Sequence, residues 1–407
     1  MNIQKVSFTN KNGQQLVGRL ELPMDQKPHN YAIFAHCFTC TKNLMAVKNV
    51  GRALTNAGFG VLRFDFTGLG ESEGDFENTN FSGNVDDLVE AAEFLERDFM
   101  GPTLLIGHSL GGAAAIFAAD KIASIKAVAV VNSPSRPSHV MHLLKESKAE
   151  INKYGKAKVN LGGIDFTIKK QFLDDLENKP LTEIVKTFRK ALLILHSPQD
   201  KNVEIKNAEE IYKAARHPKS FVSLDGVDHL LSKKEDSNYV GMVIAGWASR
   251  YVDIPPQEQI ITKSKVAASL DGEDKFTTYL KMGDHNFIAD EPTNFGGNNF
   301  GPNPYEFLSA ALASCTAMTI QMYARRKNWE VENVGVHINY SREHAVDCEF
   351  CEEDSAKIDT FTREITLEGN LSTEQKNKLL EIADKCPVHK TLHSKTQVIT
   401  KLIEQSF

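Results

Sequence analysis

Up to about residue 250, hydrophobic residues come in short unbroken runs, separated by stretches where apolar positions recur every three or four places. Tyr31-Ala32-Ile33-Phe34-Ala35, Thr103-Leu104-Leu105-Ile106, Ala191-Leu192-Leu193-Ile194-Leu195-His196 and Ser220-Phe221-Val222-Ser223-Leu224 have the length and make-up of strands. Gly112 to Ala119, a segment around Ala208 to Tyr212, and Tyr239 to Tyr251 read as helices. Strand and helix in alternation predict an α/β domain around a mostly parallel sheet. Pro134 to Thr187 interrupts that alternation with helix-like pieces around a strand pair, Ala157–Leu161 and Ile164–Ile168. An insertion of this length in a compact domain is expected to be a cap over the functional site.

The pattern changes after the connector Asp253-Ile254-Pro255-Pro256-Gln257-Glu258-Gln259, whose prolines stop the preceding helix and stiffen a polar link. Strand-like segments at about 260–290 are followed by a glycine/asparagine loop from Asn294 to Asn303, a long helix, more strands and a second helix. That order is α+β. The expected organisation is a first domain at 1–252 with its cap at about 134–187, a linker at 253–259 and a second domain at 260–407.

Composition narrows the setting. A chain of 407 residues with 41% hydrophobic and 25% charged residues has ordinary cores, and its net charge of −6 gives no case for nucleic acid or an anionic membrane as partner. The opening Met1-Asn2-Ile3-Gln4-Lys5 has no apolar signal region, and no uninterrupted run reads as a membrane span. Six cysteines in so long a chain are no disulfide scaffold, and a reducing cytoplasm is the expected location.

The most specific motif is Gly107-His108-Ser109-Leu110-Gly111, set between a strand and a helix of small residues. This is the pattern of a nucleophile elbow, a tight turn that lifts a serine hydroxyl above the sheet edge. The base and its orienting acid are expected downstream in the order Asp or Glu, then His. Asp200 and His229 each follow a strand, where chemistry collects in α/β sheets. Asp225 and Asp228 compete as the acid but lie too close to His229 in sequence for the usual geometry. His108 and His196 read as packing or hydrogen-bonding neighbours. The oxyanion donors are expected to be the backbone N–H groups of Phe38 and Leu110. No cofactor or metal motif is evident. Cys37-x-x-Cys40 and Cys348-x-x-Cys351, the latter with His344 nearby, have metal-like or redox-like spacing but no full ligand set, and read as loop thiols.

On these residues the first 252 positions resemble the α/β-hydrolase superfamily. His36-Cys37-Phe38 is similar to its oxyanion loop, with cysteine in place of the usual glycine. Arg63-Phe64-Asp65-Phe66-Thr67-Gly68-Leu69-Gly70-Glu71-Ser72 is similar to its Asp-x-Arg-Gly-x-Gly-x-Ser signature, a structural element. The resemblance implies a serine carboxylic-ester hydrolase acting on a small ester; the modest cap, with no large apolar lid, leads to the expectation of short or aromatic acyl groups over long lipids.

In the second domain Asn303-Pro304-Tyr305-Glu306 predicts a capped helix start, and helical spacing places Leu308, Ala311, Leu312, Cys315, Met318 and Met322 on one apolar stripe. A second amphipathic helix, Thr373 to Lys385, ends at Cys386-Pro387-Val388. Gly301 to Leu308, Ala313 to Met318 and Cys386-Pro387-Val388 resemble the OsmC-like family, and the whole chain resembles the bifunctional α/β-hydrolase/OsmC proteins. The resemblance implies a homodimer formed through this domain, an organic hydroperoxide as substrate, Cys315 as peroxidatic thiol, Cys386 as its resolving partner and an external dithiol as reductant. The arginine and glutamate of the organic hydroperoxide reductase branch are missing: no arginine occurs from 251 to 324, and Tyr305 takes the glutamate's place. His285 and His389 are the candidate substitutes. Two alternatives stay open, a thiol peroxidase with a vestigial hydrolase, and an OsmC-like domain that only dimerises or binds a ligand.

Overall fold

The computed structural model describes residues 2–23, 27–161, 164–177, 179, 181–255, 260–272, 275–344 and 357–402. The chain divides into two compact units, Met1–Glu258 and Gln259–Phe407.

The first unit is built on an eight-stranded sheet. Its strands are β1 (Asn2–Thr9), β2 (Gln15–Leu22), β3 (Asn30–Ala35), β4 (Phe59–Phe64), β5 (Leu104–His108), β6 (Ala127–Val131), β9 (Ala191–His196) and β10 (Lys219–Ser223), in the order β1-β2-β4-β3-β5-β6-β9-β10. β1 pairs antiparallel with β2 and β2 antiparallel with β4, and the pairings from β4 to β10 are all parallel. The central strands are unbroken apolar runs because both faces of a parallel sheet are covered. Their side chains alternate between two cores: Ile33, Leu105, Leu192 and Ile194 face one, and Phe34, Ile106, Leu193 and Leu195 the other. Helices α2 (Phe81–Asp98), α3 (Leu110–Lys121) and α7 (Lys206–Ala214) close the first core; α1 (Met45–Asn56) and α8 (Lys234–Ala248) close the second.

The Arg63–Ser72 segment ties the loop after β3 to the sheet. Asp65, fully buried, accepts from the Lys42 amide at 2.7 Å and the Glu71 amide at 2.9 Å, and pairs with the Lys42 ammonium. Arg63 donates to the Lys42 carbonyl at 2.7 Å and to Glu21 at 2.5 Å. A buried charge survives only when paired and hydrogen-bonded in this way.

Between β6 and β9 the insertion consists of a 3-10 turn (Pro137–Leu144), α4 (Lys148–Tyr154), the hairpin β7 (Lys156–Leu161) and β8 (Ile164–Lys169), α5 (Lys170–Leu176) and α6 (Leu181–Thr187). The Phe38 ring stacks on Phe172 of α5 at 5.1 Å and meets Phe76 at 5.6 Å, so the insertion packs directly on the loop after β3.

The second unit has a three-stranded antiparallel sheet of β11 (Val266–Ser269), β12 (Thr278–Met282) and β13 (His285–Ala289). It also has the helices α9 (Pro304–Lys327), α10 (Thr373–Ala383) and α11 (Pro387–Leu392) and a long hairpin of β14 (Asn333–His344) and β15 (Lys357–Glu368). α9 opens on the expected capping box, with Glu306 N donating to Asn303 at 3.0 Å and Asn303 N to Glu306 at 2.8 Å. The expected apolar stripe is not the face that packs within the unit. Leu312, Thr316, Ile320 and Ala324 are the buried positions, while Met318 and Met322 stay 66% and 64% exposed. The helix is apolar on two sides, and only the side spaced four residues apart meets Leu379, Ala383 and the hairpin. By length and composition α9 is also, among the described residues, the one helix apolar enough to cross a membrane. Cys348 and Cys351 lie outside the described residues.

Candidate active site

Ser109 sits at φ 54°, a left-handed conformation for a residue with a side chain, in the turn between β5 and α3. The turn is possible because its neighbours lack side chains. A Cβ on Gly107 would lie 2.3 Å from the Gly111 carbonyl oxygen, and one on Gly111 would lie 2.3 Å from that of His36. The strain is held by backbone hydrogen bonds from Ser109 N to Val131 O and from Gly112 N to Ser109 O, both 2.9 Å.

The loops after β9 and β10 bring Asp200 and His229 to the same sheet edge. His229 Nδ1 lies 2.6 Å from Asp200 Oδ2, and His229 Nε2 lies 3.0 Å from Ser109 Oγ. A carboxylate only accepts, so Nδ1 carries a proton, and Nε2 is the nitrogen turned to the serine hydroxyl. Burial alone would push the Asp200 carboxyl up. The hydrogen bonds from His229 and from the Val203 and Asn202 amides (3.0 and 2.8 Å) outweigh it and hold Asp200 below the usual carboxylate range. Asp225 and Asp228 are engaged elsewhere, the first with Ser223 and the second with Leu230 and Ser232.

His229 is fixed through its backbone. The His229 carbonyl accepts from His108 Nε2 at 2.6 Å and from Asn132 Nδ2 at 3.1 Å, while Asn132 Oδ1 accepts from Ser197 N at 3.0 Å. Asn132 escapes sequence reasoning; its signal is a polar residue directly after the apolar run of β6 (Ala127–Val131). His108, His36 and His196 are buried, and each donates from one nitrogen to a carbonyl, while the other nitrogen has no partner among the described residues. Burial keeps all three neutral, with His108 pushed down to about 3.

Leu110 is the first residue of α3, so its N–H is one of the helix's unpaired donors. Among the described residues neither this amide nor that of Phe38 is paired with a protein acceptor. The loop carrying Phe38 departs from the sequence expectation. Cys37 and Cys40 are not free thiols but form a disulfide across Phe38 and Thr39, with Cα atoms 5.2 Å apart. Spacing alone leaves metal, thiol and disulfide open, and only the turn that brings the two residues together decides it. The hydroxyl opens into a cavity of about 460 Å³ walled by Phe38, Val140, Ile164, Val203 and Leu230, with residues of the insertion on one side.

In the second unit the structure brings Cys315, half-buried on α9, beside Cys386, fully buried as the residue that caps α11. Both are free thiols. His285 lies on β13 against Phe287, whereas His389 N donates to Cys386 Sγ at 3.4 Å. Tyr305 stacks on Tyr340 at 4.4 Å.

Comparison with known proteins agrees with both halves. A family model described as serine aminopeptidase, S33, matches residues 27–184, and one described as OsmC-like protein matches residues 296–401. An esterase domain from a Rhodothermus marinus protein is 49% identical, with a TM-score of 0.52 over 62% of this chain and 99% of that one. Est1E from Butyrivibrio proteoclasticus, solved with ferulic acid, is 18% identical with a TM-score of 0.50, over 60% of this chain and 98% of that one. Mouse α/β hydrolase domain-containing protein 10 is also 18% identical, with a TM-score of 0.51 over 61% of this chain and 99% of that one. These last two likenesses speak for the fold alone. No curated protein matches the sequence. The chain belongs to the α/β-hydrolase/OsmC family, with an esterase-type α/β-hydrolase unit followed by an OsmC-like unit.

Proposed function

We propose that the first unit is a serine carboxylic-ester hydrolase working through an acyl-enzyme. The observation that carries this reading is the unbroken chain from Ser109 Oγ through His229 to Asp200, at 3.0 and 2.6 Å, opening into an apolar-walled cavity. Ser109 attacks the ester carbonyl while His229 Nε2 takes its proton. The Phe38 and Leu110 amides hold the oxyanion, and Asp200 stabilises the imidazolium that forms. His229 then returns the proton to the leaving alcohol and activates the water that frees the acid. A cavity of about 460 Å³ suits short or aromatic acyl groups better than long lipid chains.

For the OsmC-like unit the reading is thiol reduction of organic hydroperoxides. Cys315, the more accessible sulfur, is the peroxidatic residue, Cys386 the resolving one and an external dithiol the reductant. The adjacent free thiols support it. The exposed apolar side of α9 suits a homodimer formed through this unit.

The deciding experiment measures p-nitrophenyl ester hydrolysis and cumene hydroperoxide consumption, the latter with a dithiol, on the full chain. Ser109→Ala is expected to lower ester turnover by about a million-fold and leave peroxide consumption alone. Cys315→Ser is expected to do the reverse. Ester hydrolysis that survives Ser109→Ala overturns the esterase reading. Peroxide consumption absent from the parent leaves the OsmC-like unit as a dimerisation or ligand-binding module.

A further inference from the structure

We propose that Phe172 of the insertion, with Phe76, acts through the ring of Phe38 to set the position of the Phe38 amide beside Ser109. The insertion then governs the rate of acyl transfer as well as the choice of ester. This rests on the esterase reading above and makes Phe172 a positioning residue of that site.

The peptide unit between Cys37 and Phe38 carries the first part of the argument. Its carbonyl oxygen accepts from His36 Nδ1 at 2.9 Å and from Cys40 N at 3.1 Å. In a trans peptide the N–H points away from the C=O, so these two bonds turn the Phe38 N–H outward from the turn that the disulfide closes. Both bonds meet at a single atom, and a planar unit held at one atom can still pivot about it. The second fixed point is the side chain of Phe38.

That ring is seated between two others. It stacks on Phe172 of α5 with centroids 5.1 Å apart and planes 26° apart, and it meets Phe76, tilted, at 5.6 Å. Phe76 in turn meets Phe166 of β8 at 4.8 Å. Two of the three supporting rings thus belong to the insertion, and Phe172 is itself buried. The insertion is tied down at this same place. Asp175, on α5 with Phe172, accepts from both the amide and the hydroxyl of Ser82, each at 2.7 Å, and Lys179 donates to that hydroxyl at 2.7 Å. Ser82 is the second residue of α2, so the carboxylate caps an unpaired helical N–H where the helix dipole favours a negative charge. Lys169, at the end of β8, donates to Asn78 at 2.5 Å and pairs with Glu77 at 2.8 Å, in the turn that Phe76 opens.

The two oxyanion donors are therefore held in different ways. The Leu110 amide is fixed by α3 and the sheet, with no part played by the insertion. The Phe38 amide is fixed at its carbonyl end by its own loop and at its ring end by α5. A shift of α5 moves Phe172, the ring stacked on it, and the amide that this ring carries. Donors serve the transition state only when they already stand where the charge develops, so such a shift falls on the chemical step more than on ester binding.

The test measures kcat and KM for p-nitrophenyl acetate in the full-length protein, together with inhibition by an aryl trifluoromethyl ketone, whose adduct with a serine carries an oxyanion. Phe172→Ala is expected to lower kcat about thirtyfold, less than outright loss of an oxyanion donor, with KM within about threefold, and to weaken the ketone by the same factor as kcat/KM. Phe38→Ala keeps the amide and removes the ring, and is expected to cost about as much. Combining the two should cost no more than Phe38→Ala alone, because both cut one link. Leu176→Ala, at an equally buried place one turn further along α5, is expected to lower stability and leave kcat unchanged. If Phe172→Ala does not fold, Phe172→Leu keeps most of the bulk without the ring and is expected to cost about tenfold. A folded Phe172 variant with kcat within about threefold of the parent, losses that multiply in the double variant, or an equal kcat loss in Leu176→Ala overturns the proposal. Hydrolysis that survives Ser109→Ala sinks the esterase reading and this proposal with it, whereas Ser109-dependent hydrolysis indifferent to Phe172 sinks the proposal alone.

Discussion

Adding one methyl group at Gly111 tests the elbow and the oxyanion loop together. The new Cβ would sit 2.3 Å from the His36 carbonyl oxygen and 2.5 Å from that of Ala35. Both are backbone atoms, so no side chain can swing away. Relieving the overlap takes a displacement of about 1 Å, shared between the elbow and the chain entering Cys37 and Phe38. Misplacement on that scale costs about a hundredfold in rate when it falls on reacting groups. The overpacking itself costs about 1–3 kcal/mol of stability. Gly111→Ala is therefore expected to lower kcat for p-nitrophenyl acetate about a hundredfold, with a smaller change in KM, because the Phe38 and Leu110 amides serve the transition state more than the bound ester. Stopped-flow kinetics with a thermal melt on the same sample separate lost geometry from lost folding. A folded Gly111→Ala with kcat within about threefold of the parent would refute the close approach of elbow and loop.

Acid sensitivity should begin in the histidine range. His108 stays neutral in the fold down to about pH 3, while the unfolded chain takes up its proton near 6.5, so stability present above that range is lost as pH falls, by about 5 kcal/mol at most for this group. Urea unfolding followed across pH should show it, and His108→Gln should flatten the slope by about one proton; an unchanged slope contradicts the assignment. Reducing Cys37–Cys40 with a dithiol should lower ester turnover about tenfold by loosening the Phe38 amide, and Cys37→Ser/Cys40→Ser should be slow from the start and indifferent to the dithiol. Full turnover after thiol titration shows the bond open would remove the disulfide from any part in positioning. If the exposed side of α9 forms the proposed homodimer, Met318→Glu combined with Met322→Glu should shift the full chain from dimer to monomer in sedimentation velocity without lowering ester hydrolysis; a monomeric parent or an unshifted dimer contradicts that interface.

The fold was legible because its determinants are local. Unbroken runs such as Ala191–His196 are too short for core helices and alternate with helical patterns, as strands covered on both faces do, and Asn303 with Glu306 specifies a helix start within four residues. The relation of Ser109 to Asp200 and His229 was legible for a related reason: strand ends in a parallel sheet converge on one edge. What sequence could not yield depends on contacts between distant or conformationally ambiguous residues. Asn132 is 97 positions from His229, and nothing in the intervening sequence marks the pairing. The Cys37–Cys40 bond depends on a turn in which Thr39 takes a φ of 64°, unusual for a β-branched residue. The partition of α9 was hidden because two of its sides are apolar, and periodicity does not say which side the hairpin chooses.

The tether on the His229 carbonyl has a wider consequence. Its two anchors, His108 and Asn132, belong to the ends of β5 and β6. One of them is the residue next to Ser109, so His229 and the serine ride on the same rigid floor. The inserted segment supplies neither anchor, so a change in it leaves the hydrogen bonds that hold His229 beneath it in place. Such a change has one limit: Phe38 rests on Phe172 of the inserted segment, so a foreign roof keeps the Ser109–His229–Asp200 geometry but needs a ring at that place to keep the loop after β3 seated.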